Sequence, residues 1–171
     1  WRVYAGATIE AADRCGAFLA TIVDVESFPL MRLSSMTASE TAKVMENTYR
    51  ATNIAFIDEW TKYAEAVGID LYEVIDAIRV RPTHANIRFP GLGVGGYCLT
   101  KDPAFAPAAA RQLFGEKQLN FPFSRLALQV NQAMPAHTVA RLQNLLGSKS
   151  KGASVLVLGL SYRQDVGDTR Y

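Results

Sequence analysis

From Thr37 to Val67 the chain runs for about thirty residues without glycine or proline, the pattern of one long helix. Thr37 or Ser39 is placed to cap it, Glu40 completes a capping-box spacing with Thr37, and Gly68 ends it. At ~1.5 Å per residue such a helix is on the order of 45 Å long. Helical spacing also predicts elements over residues 7–22 and over "LYEVIDAIRV", where Asp70 is the cap and the helix stops before Pro82. Two more follow, over "PAFAPAAARQLFG" (103–115) and "PFSRLALQVNQAMPAHTVARLQNLLG" (122–147), the second with Pro135 inside it as a kink or a break. Strands are expected at residues 2–5, near 29–33, and at "VLVLGL" (155–160), whose unbroken apolar run reads as a buried parallel strand. Residues 81–96, rich in Pro, Gly and Asn, form an ordered loop. The fold class is therefore mainly α.

Composition narrows the class without naming a function. Of 171 residues, 49% are hydrophobic and 20% charged, and the net charge is only +2, an ordinary globular balance. Lysines and arginines are scattered, with no basic run interleaved with aromatics, so nucleic acid is not the expected partner. No apolar run approaches the ~20 residues of a spanning helix, so no membrane partner is expected either. Two cysteines, Cys15 and Cys98, lack the spacing of a disulfide framework or a metal site, which points to a reducing, cytoplasmic setting and no bound metal. The chain opens on Trp1, and "WRVYAG" reads as the end of a strand begun upstream. At the other end "KSKGASVLVLGLSY" changes from a charged linker to a strand, so a further domain begins near Ser154. The chain is expected to be a piece of a longer protein.

The chemistry concentrates in "GLGVGGYCLTKDP". Glycines at 91, 93, 95 and 96 let a backbone approach a ligand closely and aim amide groups at anionic oxygens. Cys98 reads in two ways, as a small buried hydrophobe or, at the start of a helix near Thr100 or Asp102, as a nucleophile favoured by the helix N-terminus and by Lys101. Asp102 lies four residues on, as a site carboxylate or as a helix N-cap before Pro103. On the long helix Lys43 and Asn47 share a face at i, i+4, though spacing alone leaves Lys43 a solvated surface charge. Cys15 has only Arg14 beside it and reads as packing. "GLSYRQDVGDTR" after the last strand stands where parallel sheets bind ligands, but its glycines do not match a dinucleotide fingerprint.

In this order and at these separations, "AKVMENTYRATNIAFIDE", "GVGGYCLTKDP" and "VLVLGLSYRQDVGDTR" resemble the UDP-glucose/GDP-mannose dehydrogenase family of nucleotide-sugar dehydrogenases. The resemblance implies an N-terminal NAD-binding Rossmann domain, a helical central dimerisation domain built on a long helix, and a C-terminal Rossmann-like domain that binds UDP. Residues 1–33 would then be the tail of the first, 34–148 the central domain, and 149–171 the start of the third. It implies oxidation of the C6 alcohol of a UDP-sugar to a carboxylate with two NAD and one water, in a homodimer formed through the long helix. By position, Cys98 would capture the intermediate aldehyde as a thiohemiacetal and release the acid through a thioester. Lys43 and Asn47 would hold the developing oxyanion, and Asp102 would manage protons or orient water. Lys101 would lie near the cofactor phosphates, and Asn86, Gly95, Gly96, Arg163 and Arg170 would bind substrate. Arg163 stands where the family usually has lysine, and Thr100 where it commonly has proline. An arginine that many members supply across the dimer has no obvious match here: the resemblance leaves His84, Arg81 or a different contact in its place. The sugar itself, glucose, N-acetylglucosamine, N-acetylmannosamine or another, stays open.

Two other classes fit the same residues. A hydrolase or acyltransferase would keep Cys98 as nucleophile and need His84 within hydrogen-bond distance of it. A non-catalytic helical dimerisation module would need only the long helix.

Overall fold

The computed structural model describes residues 2–161 and 164–169. Thr8 opens the first helix: its hydroxyl accepts a hydrogen bond from the Ala11 N–H, and α1 runs over Ile9–Ala20. This helix joins two short strands, β1 (Arg2–Tyr4) and β2 (Leu30–Arg32), which pair in parallel with Arg2 opposite Leu30. Parallel pairing needs such a crossover. The turn between β1 and α1 needs glycine at position 6, because a Cβ there would lie 2.3 Å from the Ala12 nitrogen.

The long helix α2 spans Met36–Val67, 32 residues. Its cap is neither Thr37 nor Ser39, as the sequence predicts, but Ser35, whose Oγ accepts from the Ala38 N–H at 3.1 Å. The helix starts one residue early, so both of those side chains fall inside its first turn. Gly68 ends it at φ +76°, where its own N–H and that of Ile69 both reach the Ala64 carbonyl, at 2.9 and 3.1 Å.

The chain divides into two compact units within this helix, Trp1–Glu46 and Asn47–Tyr171. In the second unit α3 (Leu71–Arg79), capped by the Asp70 carboxylate, lays Leu71 and Ile75 on Ile57 and Ala64 of α2, with Ile87 against the cluster. A 3-10 turn at Asp102–Ala104 leads into α4 (Phe105–Gln112), and α5 covers Pro122–Leu146. Ala51 and Ala55 of α2 meet Ala127 of α5, with Val130 packed beside them. Small side chains let the two helices approach closely. About three turns further along, Glu65 pairs with His137 and Arg141 of α5, each at 3.1 Å.

Pro135 does not divide α5, which continues through it. The run from Val155 to Leu160, predicted as a buried strand, forms no strand, and its apolar side chains are exposed. A strand is half of a ladder, and among the described residues none lies alongside to complete it. One stripe of α2 is also left open: Tyr49, Phe56, Trp60, Tyr63 and Val67 are exposed at spacings of seven, four, three and four. No helix among the described residues is long and apolar enough to cross a membrane.

Candidate active site around Cys98

Leu99 and Cys98 point opposite ways, and that sets the site. Leu99, 8% exposed, anchors the turn beside Ala51, Ile54, Val94 and Asn131. Cys98 is thereby turned outward, exposed and unpaired, which removes the reading of it as a buried hydrophobe. Its carbonyl accepts from the N–H groups of Lys101, at 3.3 Å, and Asp102, at 2.9 Å, closing a turn that feeds the Asp102–Ala104 helical turn and α4. The cysteine therefore stands on the N-terminal side of a helical segment, as its spacing predicts.

Beneath this turn lies a buried polar pair. Asn47 of α2 is fully buried and donates from Nδ2 to Asp102 Oδ2 at 2.7 Å. The other carboxylate oxygen, Oδ1, meets the Lys101 ammonium at 2.6 Å. Asp102 is 6% exposed, so these bonds offset the cost of burying its charge. No side-chain cap bond is made at the start of α4, and the alternative role of Asp102 as an N-cap is not what the structure shows. Lys101 also sits over the Phe105 ring, 4.5 Å from its centroid. Its head remains half-exposed, and an ammonium has three donors, so it retains the capacity to meet an anionic group.

The glycine loop is held from two sides. Thr100 Oγ1 donates to the Gly96 carbonyl at 2.8 Å, and Asn131 of α5 bonds both backbone groups of Val94 at 2.8 Å each. Gly93 at φ +114° and Gly96 at φ +81° adopt backbone geometry that other residues resist. Gly96 is buried and Gly95 half-buried. Behind the loop a hollow of about 200 Å³ is lined by Ile54, Ile57, Phe89, Val94 and Met134. It shares Asp58, Gly91 and Met134 with a wider cleft of about 730 Å³.

The structure thus brings together Asn47, Cys98, Lys101, Asp102 and the Gly95–Gly96 backbone. Lys43 belongs to the first unit, where its ammonium is 3.8 Å from Glu46. Asn86 is exposed, and its amide donates to the Tyr49 hydroxyl, so its observed role is to tie the loop to α2. Arg163 and Arg170 lie outside the described residues. His84 bonds the Thr83 hydroxyl at 2.9 Å, and no hydrogen bond joins it to Cys98, which the hydrolase reading requires. Among the described residues no three His, Cys, Asp or Glu side chains converge on a metal position. Asn131, Tyr49 and Phe105 are not singled out by motif reasoning. For Asn131 a signal exists: an asparagine four residues before a proline, inside an otherwise regular helical pattern.

Comparison with known proteins gives this constellation a setting. Residues 37–133 match the central domain of the UDP-glucose/GDP-mannose dehydrogenase family. The chain is similar to the UDP-N-acetyl-D-mannosamine dehydrogenase of Pyrococcus horikoshii, 34% identical over 99% of the chain and 38% of the relative. It is also similar to the NDP-N-acetyl-D-galactosaminuronic acid dehydrogenase of Ralstonia nicotianae, 32% identical over 77% of the chain and 29% of that protein. The solved UDP-N-acetyl-mannosamine dehydrogenase of Staphylococcus aureus superposes with a TM-score of 0.75 at 31% identity, covering 98% of this chain and 36% of that one. The chain therefore spans about a third of the length of these relatives.

Proposed function

Since the chain belongs to the UDP-glucose/GDP-mannose dehydrogenase family, we propose that it is the central part of an NAD-dependent dehydrogenase oxidising C6 of a UDP-sugar to the acid. The observation that supports this most directly is an exposed Cys98 held between an anchored glycine loop and the buried Asn47–Asp102 pair. NAD would supply the acceptor for two successive hydrides. Lys101, half-exposed and cationic, is the residue here that would meet its phosphates. The loop at Gly95 and Gly96 would receive the sugar, and Asn86, Arg163 and Arg170 would contribute to the nucleotide side.

In this reading Cys98 acts at the aldehyde level. Its thiolate sulfur attacks C6, forming a C–S bond while the carbonyl electrons move to oxygen. Lys43 and Asn47 would steady that oxyanion. Oxidation of the adduct leaves a thioester, and water then adds to the acyl carbon. Collapse breaks the C–S bond, giving the carboxylate and restoring the thiol. Asp102, fixed by two partners, would orient that water or take its proton. The domain plan follows: residues 34–148 central, with the flanking segments belonging to an NAD-binding and a UDP-binding domain, in a cytoplasmic enzyme.

The names of its relatives make UDP-N-acetyl-D-mannosamine the first substrate to test. In the full-length protein it should give two NADH per acid formed and the highest kcat/KM in a panel that includes UDP-glucose, UDP-N-acetylglucosamine and UDP-N-acetylgalactosamine. Absence of NADH with every UDP-sugar would sink the reading.

The exposed stripe on α2 supports a homodimer formed through that helix. Trp60→Glu, which places a charge in the middle of the stripe, should halve the sedimenting mass of the full-length protein at micromolar concentration. An unchanged mass would move the interface elsewhere.

A further inference from the structure

The loop that delivers Cys98 is held by α5, through Asn131. Asn131, in the middle of α5, accepts the Val94 N–H on Oδ1 and donates from Nδ2 to the Val94 carbonyl, both at 2.8 Å. A carboxamide carries a donor and an acceptor side by side, as a peptide group does, so one side chain satisfies both backbone groups of a single residue. Val94 has a glycine on each side, at 93 and 95. Glycine gives the chain its widest conformational freedom, so without an external tether this stretch would be the least defined part of the site.

Two further features show that α5 is shaped for this seat. Pro135 has no N–H, so it leaves the carbonyl of Asn131, four residues earlier, without its helical donor. Against the same turn lies Gly93. A Cβ on it would sit 3.5 Å from the Met134 Cβ and 3.8 Å from Asn131 Oδ1, at a φ of +114° that side chains rarely adopt. The backbone of the loop at Gly93 therefore lies close against Asn131 and Met134.

We propose that Asn131 is a positioning residue for the oxidation: by fixing Val94 it sets the Gly95–Gly96 backbone that receives the sugar and the approach of C6 to Cys98. This rests on the dehydrogenase reading for its substrate, while the clamp itself does not. Asn131 touches no reacting atom. Its effect is on how the substrate is held, and so falls on KM for the UDP-sugar more than on the NAD side.

The test uses the full-length protein with Asn131→Ala and, as a second route to the same loop, Gly93→Ala. Two lost hydrogen bonds predict a rise of about tenfold in KM for the UDP-sugar, with KM for NAD unchanged. Hydrogen exchange at the Val94 amide should accelerate in Asn131→Ala, whether or not any sugar is turned over. Gly93→Ala, which puts a side chain where the backbone holds φ +114° and so strains the loop while leaving the asparagine in place, should show the same KM split. A general loss of folded enzyme would instead lower kcat with both KM values unchanged, and that pattern in both variants would overturn the proposal. Unaltered exchange at Val94 would overturn it as well. Should the wild-type protein oxidise no UDP-sugar, the functional reading fails by itself, and exchange at Val94 still decides whether the clamp exists.

Discussion

On the proposed dehydrogenase function, replacing Cys98 with alanine in the full-length protein should cut formation of the sugar acid by at least about 10³-fold, while oxidation of the C6 alcohol to the aldehyde should persist. The two steps separate because only the second needs a covalent link. Removing hydride from an alcohol leaves a carbonyl without help from sulfur. An aldehyde has no such route until a nucleophile has made its carbon tetrahedral. The geometry favours this division: Cys98 is exposed, and its turn is anchored by the buried Leu99, so truncation to alanine leaves the Asn47–Asp102 pair and the loop in place. Trapping the product with an aldehyde reagent, alongside NADH counted per mole of acid, distinguishes the cases. Undiminished acid formation would remove the covalent role. Equal loss of both steps would make Cys98 a structural residue of the substrate pocket.

Much of this site was legible in the one-dimensional pattern, and the reasons differ from residue to residue. The long helix announces itself by an absence of glycine and proline and by Gly68 at its end. Its start lies one residue before the predicted one because Ser35, Thr37 and Ser39 carry equally competent hydroxyls, and only the backbone decides which is used. Cys98 was visible through its glycine-rich approach. That it faces outward depends on Leu99 finding a buried slot, a tertiary fact. The 2.7 Å bond between Asn47 and Asp102 joins residues 55 apart in sequence, a separation no periodicity encodes. The predicted strand at 155–160 failed for a related reason: its apolar pattern states a wish for burial, and burial needs neighbours. That the Asn86 amide donates to the Tyr49 hydroxyl was likewise not legible, because the two residues lie 37 apart in sequence.

Asp102→Asn should leave the full-length protein folded and cut its kcat for acid formation by about 10²-fold. The substitution is isosteric. The Asn47 amide can still donate to an oxygen at position 102, so the thermal midpoint should correspond to a change of less than about 1 kcal/mol. What disappears is the negative charge and the second acceptor that meets Lys101. Asp102→Ala is the contrasting case. It removes the bond that the fully buried Asn47 makes to Asp102 at 2.7 Å. Losing a hydrogen bond to a charged group costs about 1.5–3 kcal/mol, and that loss should appear in thermal unfolding as well as in turnover. The pair of variants therefore separates two roles that one residue combines. If Asn and Ala behave alike in both measurements, Asp102 is a structural anchor and the proton work belongs to another group. If Asn retains stability and loses only turnover, the carboxylate is chemical, and the bond to Asn47 serves to hold it where Cys98 needs it.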